Sequence, residues 1–184
     1  MTPRVVLDAC VLYPTGLRGI LLRCAGAGLF VPLWSARILE EWARATRKLG
    51  PGAEAQARSE IAAACAAFPA ALVPPAPGLE ARLHLPDPSD IHVLATAAAA
   101  GADAILTFNA ADFPRGTLAA EGIARRDPDG FLWELWSNRP GIVAGAVDAE
   151  RTAAEAFTGM HRDRRSFLRR LRLPRLGKAM AEAR

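Results

Sequence analysis

Seven side chains of the 184-residue chain could together do chemistry: Asp8, Glu40, Glu41, Asp87, Asp90, Asn109 and Asp112. Carboxylates gathered at one place repel one another unless protons or a cation intervene. The set offers oxygen donors, with no His or Cys group alongside at metal-ligand spacing, which points to a hard cation, Mg²⁺ or Mn²⁺. Such an ion acidifies a bound water and holds a phosphate oxygen, and two ions about 3.5–4 Å apart clamp the attacking and leaving oxygens. That is chemistry for phosphodiester hydrolysis. Each residue also has a plainer reading. Asp87 stands where a helix N-cap belongs, Asp90 where an acid complements a helix dipole, and at least one of Glu40 and Glu41 can be a solvated helix residue.

These residues need elements to position them. Arg4–Leu7 is an apolar run without helical period and reads as a buried strand ending at Asp8. Leu17–Ala27 has helical spacing. Leu29–Leu33 reads as a second strand, weakened by Pro32. Ser35 caps a helix from Ala36 to about Leu49 that carries Glu40 and Glu41. A helix over Ala53–Phe68 and a strand at Ala71–Val73 follow. Asp87-Pro88 opens a helix running to about Ala100, Ala104–Thr107 is a fourth strand, and Asn109–Pro114 is the turn after it. Ile123–Arg125 is a last weak strand, Asp127-Pro128 opens a helix through Leu135, and from Pro140 onward the chain reads as helical. Strands alternating with helices imply an α/β fold with a mainly parallel sheet. Ligand sites in such sheets lie at the carboxyl ends of strands, where Asp8 and Asn109 share an edge if their strands are neighbours.

Composition fits this reading. Hydrophobic residues make up 51% and charged residues 23%, which excludes wholesale disorder. Three cysteines (Cys10, Cys24, Cys65) without a C-x-x-C spacing argue against a disulfide framework or a structural zinc and favour a reducing compartment. No membrane-length apolar run or signal-peptide pattern is present, so a cytoplasmic location is expected. Charge is uneven: residues 1–150 hold 13 Lys and Arg against 16 Asp and Glu, and residues 151–184 hold 10 against 3. The basic arm suits phosphate contacts or simply a wet helix face.

Four segments make the chain resemble the PIN-domain nucleases, and among them the VapC-like toxins: VVLDACVL (5–12), SARILEEW (35–42), LPDPSDIHVLATAAAAGAD (85–103) and ILTFNAADF (105–113). The family pattern has an Asp after the first strand, a Glu in the second-strand helix, an Asp opening a D-x-x-h-x-A helix (h, apolar) and a T-x-[DN]-x-x-D-F turn. Those positions fall on Asp8, Glu41, Asp90, and Asn109 with Asp112. The resemblance covers about residues 4–115 and implies a three-layer α/β/α sandwich; the residue pattern places that domain over 1–126 and reads 127–184 as a helical, Arg-rich extension. It implies Mg²⁺- or Mn²⁺-dependent RNA cleavage, with Asp8, Glu41, Asp90 and Asp112 as catalytic carboxylates and Asn109 as a further metal ligand. A toxin's usual partners, an antitoxin and a second copy of the chain, are implied as well. Cys10 and Asn109 depart from the pattern, where Asn or Ser and Asp respectively are common. Glu41 is preferred to Glu40 because Leu39 and Trp42 then take core-side positions. Arg18 and Arg115 are candidates for contacts to flanking phosphates.

Other chemistries find less support. An aspartyl phosphatase needs a second Asp where Cys10 stands, and neither G-x-G-x-x-G nor G-x-x-x-x-G-K-[ST] occurs. A Cys10 nucleophile lacks a His in the nearby motifs. His92 reads as a packing or surface residue on another helix face. Trp42 reads as core, and Trp133 and Trp136 as anchors of the extension. The rival from another class is a catalytically degenerate module that binds nucleic acid or protein through its basic arm.

Overall fold

Val5, Val6 and Leu7 have no exposed surface, as suits an apolar run in a strand covered on both faces. They form most of β1 (Arg4–Leu7), the middle strand of a five-stranded sheet. The computed structural model describes residues 1–183. The other strands are β2 (Val31–Ser35), β3 (Leu72–Val73), β4 (Ala104–Leu106) and β5 (Ala124–Arg126), in the order β3-β2-β1-β4-β5. Every pair is parallel, so the sheet expected to be mainly parallel is wholly so. Helices flank it in the α/β/α arrangement.

Pro32 lies inside β2, opposite Val5, although proline cannot donate to a ladder. Backbone direction explains the tolerance. The Val31 N–H bonds Pro3 on the β1 side and the Trp34 N–H bonds Ala71 on the β3 side. Pro32 shares the parity of Trp34, so its missing N–H faces the β3 side, where pairing begins only at Trp34.

The described chain falls into two compact units. The first comprises Met1–Tyr13 and Phe30–Arg126 and contains the sheet. Its helices are α1 (Ala9–Leu12), α3 (Ala36–Ala45), α4 (Ala53–Ala67), α5 (Pro77–Arg82), α6 (Ile91–Ala99) and α7 (Arg115–Ala120). α6, nearly all apolar, packs against β1, β2 and β4. α3 packs against β2 and α4 and buries Ile38, Leu39, Trp42 and Ala43. Two helices expected to be continuous change geometry: Thr46–Leu49 tightens into a 3₁₀ turn after α3, and Pro88–Asp90 forms one before α6. The short helices α1, α5 and α7 have no signature in the sequence, since one or two turns carry too little periodicity to read.

The second unit comprises Pro14–Leu29 and the residues from Asp127 on. Its helices are α2 (Thr15–Gly26), α8 (Pro128–Asn138), α9 (Pro140–Thr158), α10 (Arg164–Arg170) and α11 (Pro174–Glu182). A division of the sequence at residue 126 leaves α2 with the sheet; in the fold α2 packs along α9 instead. It buries Leu17, Ile20, Leu21 and Cys24, one stripe at helical spacing. Gly19 provides room for the Glu150 carboxylate, which Arg23 holds at 2.8 Å. Asp129 caps α11 by accepting from the Arg175 and Leu176 N–H groups at 2.8 and 2.9 Å, and the Arg175 guanidinium stacks on Trp133 at 3.6 Å.

Candidate active site

The site is built at the carboxyl ends of β1 and β4. Leu7 stands opposite Leu106, so the residues that follow, Asp8 and Thr107, are neighbours. The Asp8 N–H donates to Leu106 O at 3.1 Å, and its carboxylate is buried at 8% exposure. Thr107 Oγ1 donates to Asp8 Oδ2 at 2.6 Å, and Cys10 Sγ donates to the same oxygen at 3.0 Å. Cys10 Sγ in turn accepts the Phe108 N–H at 3.3 Å. Burial, and then the negative charge of Asp8, push the Cys10 thiol up to about 12. It is a neutral donor here and not a nucleophile.

The turn after β4 brings the next groups. Thr107 Oγ1 accepts the Asn109 N–H at 2.9 Å. Arg125, on β5, donates to Ala110 O at 2.6 Å and to Phe113 O at 3.0 Å, and the Phe113 ring is wholly buried. The turn is therefore held at both ends. Asn109 Nδ2 then donates to Asp90 Oδ2 at 3.2 Å and to Asp112 Oδ2 at 2.5 Å.

Asp90 lies at the start of α6, where Asp87 fixes the preceding turn by accepting the Ser89 N–H at 2.8 Å. That bond holds the Asp87 carboxyl below its ordinary range. Asp87, Asp90 and Asp112 each offer an oxygen within 4.8 Å of the others. Asp87 is thus both the predicted cap and a member of the acidic group. Burial, then the charges of Asp8, Asp87, Asp112 and Glu41, push the Asp90 carboxyl up to about 6 from an ordinary 3.8. Asp8 and Glu41 stand outside the group of three and act on Asp90 through their charge.

The two glutamates part ways. Glu40 faces Arg44 and Arg58, at 2.6 and 2.9 Å, and these guanidiniums hold its carboxyl down at about 2. Glu41 has its Oε1 2.8 Å from His92 Nε2 and 3.4 Å from Arg37 Nε. His92 is 3% exposed, and neither ring nitrogen makes an aligned hydrogen bond, so Nε2 meets Glu41 closely without the geometry of one. His92 therefore belongs to the surroundings of the site. Arg37 also donates to Ser89 O at 3.2 Å, which ties α3 to the turn bearing Asp87. The two arginines considered for phosphate contact differ as well: Arg18 is buried in α2 of the second unit, and Arg115 is exposed at the start of α7.

The sequence offers Thr107 and Cys10 only as positions of the family pattern, and gives Arg37 and Arg125 no role at the site. The β1–β4 register alone would have paired Thr107 with Asp8. The contacts of Arg37 and Arg125 have no sequence signature. The donor set fits a hard divalent cation: it is all oxygen and crowded with carboxylates, and burial together with that crowding lets Asp90 retain its proton into the mildly acidic range.

A family model described as the PIN domain matches residues 4–111, more than half of the chain. Comparisons with curated proteins and with solved structures find no match. PIN domains are generally nucleases that use divalent metal ions. With its parallel sheet, its Asp at the end of β1 and its acids after β4 and before α6, the chain belongs to the PIN-domain family.

Proposed function

We propose that this PIN domain is a Mg²⁺- or Mn²⁺-dependent endoribonuclease acting in the cytoplasm as the toxin of a toxin–antitoxin pair. The observation that carries the nuclease reading is the meeting of Asp87, Asp90 and Asp112 oxygens within 4.8 Å. The VapC-like subtype, with an antitoxin and a homodimer as partners, is supported by the four sequence segments that resemble those toxins.

Asp8, Glu41, Asp90 and Asp112, with the side-chain oxygen of Asn109, are the proposed metal-holding groups, and Asp87 joins them. A bound Mg²⁺ or Mn²⁺ would supply an acidified water and offset the charge that grows on the phosphate. The chain's own work is to orient and to exclude. Thr107 and Cys10 fix the rotamer of Asp8 through Oδ2. Asp90 or Asp112 is the proposed group that orients the attacking water, by accepting a hydrogen bond from it. Arg115 offers an exposed charge to a flanking phosphate.

One observation favours a second reading. The Asn109 amide already bridges Asp90 and Asp112, as a cation would, so the site of a non-catalytic binding module could persist without metal. The deciding experiment incubates the purified chain with a mixed RNA pool and Mg²⁺ or Mn²⁺, with EDTA and the Asp8→Ala and Asp90→Asn variants as controls. Metal-dependent fragments lost in all three controls support the nuclease. Salt-sensitive RNA binding with intact RNA overturns it in favour of the binding module. Light scattering tests the homodimer, and co-purification with the product of an adjacent small gene tests the antitoxin.

A further inference from the structure

The two units differ in charge. By sequence the first holds 10 basic residues against 11 acidic, and the second 13 against 8. A unit that gathers carboxylates at its site and carries no net positive charge has little electrostatic attraction for a polyanion. The second unit has what the first lacks. A concavity of ≈ 450 Å³ is lined there by His161, Arg162, Asp163, Ser166, Arg169 and Arg170. Asp163, its one acid, is engaged as the cap of α10, accepting the Ser166 N–H at 2.9 Å. Arg165, Arg169 and Arg170 are exposed and, among the described residues, make no ion pair. A few residues before this lining, at the end of α9, Phe157 is 92% exposed.

We propose that this surface binds the backbone of single-stranded RNA, with phosphates on Arg162, Arg169 and Arg170 and a base stacked on Phe157. Guanidiniums together with a solvent-facing ring, here a few residues earlier in the chain, are the combination that tracks an unpaired strand, since every base presents a π-face. An acidic protein would satisfy the arginines equally well but has no base to lay on Phe157. The inference rests on the reading of the chain as a protein that acts on RNA.

The test is fluorescence anisotropy of a labelled single-stranded RNA in EDTA, so that no cleavage occurs. The wild type is compared with the Arg169→Ala/Arg170→Ala and Phe157→Ala variants, each first shown by circular dichroism to keep the wild-type fold. The double variant should bind about tenfold or more weakly, with the slope of log affinity against log salt reduced by about 1.4, as for two lost single-strand phosphate contacts. Phe157→Ala should weaken binding by about tenfold and leave that slope unchanged. Unchanged affinity in the double variant overturns the proposal. So does equal competition by polyglutamate of matched charge, which would assign the surface to an acidic protein. Cleavage is measured separately with Mn²⁺. A chain that binds through these residues without cutting fails only as a nuclease, and one that cuts but ignores their loss fails only here.

Discussion

Replacing Asp90 with Asn should make the metal-free protein more stable while abolishing metal-dependent cleavage. In the folded chain Asp90 holds its proton up to about pH 6, against an ordinary 3.8, through burial and four neighbouring carboxylates. The folded state therefore binds this proton more tightly than the unfolded state. Stability falls as pH rises from about 4 through 6, and the loss is complete above that. At full weight the displacement is worth about 3 kcal/mol; water reaches this half-buried group, so about 1–2 kcal/mol is expected. Asn resembles the protonated acid, can still accept from the Asn109 amide, and costs no cap, because Asp90 makes no side-chain capping bond. Urea denaturation in EDTA should show Asp90→Asn ahead by that amount at pH 7.5, and by about a third of it at pH 4.5. Added Mn²⁺ should reverse the order, because ligand binding stabilises only the protein that binds it. A variant weaker than wild type in EDTA at pH 7.5, or a difference insensitive to pH, would refute the account of a buried, charge-crowded Asp90.

Further outcomes follow from the same geometry. Asn109→Asp removes an amide donor to two carboxylates and adds a further carboxylate, so the metal-free protein should lose about 1–3 kcal/mol while Mn²⁺ affinity, read by calorimetry, rises. Glu40→Ala should leave cleavage and Mn²⁺ binding unchanged, whereas Glu41→Gln should weaken both; equal effects would undo the distinction between the two. Arg125→Ala frees the turn that carries Asn109 and Asp112, and should cost about 1–3 kcal/mol in thermal unfolding together with a fall in cleavage rate. Thr107→Val should lower cleavage with little change in RNA affinity, since it removes the 2.6 Å bond that orients Asp8.

Much of this arrangement was legible beforehand, for identifiable reasons. The buried run Val5–Leu7 and the cap signals at Ser35 and Asp87 are local, and local signals survive folding: Ser35 does accept the Ile38 N–H, at 3.3 Å. The convergence of Asp87, Asp90 and Asp112 was partly legible, because a parallel sheet sends strand ends to one edge. Helix phase puts Leu39 and Trp42 on the core side, and both are buried, while Glu40 pairs with Arg44 and Arg58. What escaped was tertiary. His92 reads from the sequence as a packing or surface residue, and its ring is buried with Nε2 2.8 Å from Glu41 of another helix. Arg125 stabilises a turn 12–15 residues earlier through backbone carbonyls, which any sequence supplies equally. Pro32 looked like evidence against a strand because the side left unpaired cannot be read without the register.

The route of the chain has a consequence for anyone cutting the gene. A product ending at residue 126 keeps the whole sheet and every acid of the site, yet still encodes α2, whose stripe of Leu17, Ile20, Leu21 and Cys24 is buried against a helix that product lacks. Such a fragment would carry a greasy, orphaned loop between its first two strands and should aggregate unless residues 14–29 are trimmed to a short polar bridge as well. The helical unit is therefore no detachable tail, since the segment joining β1 to β2 is one of its own helices.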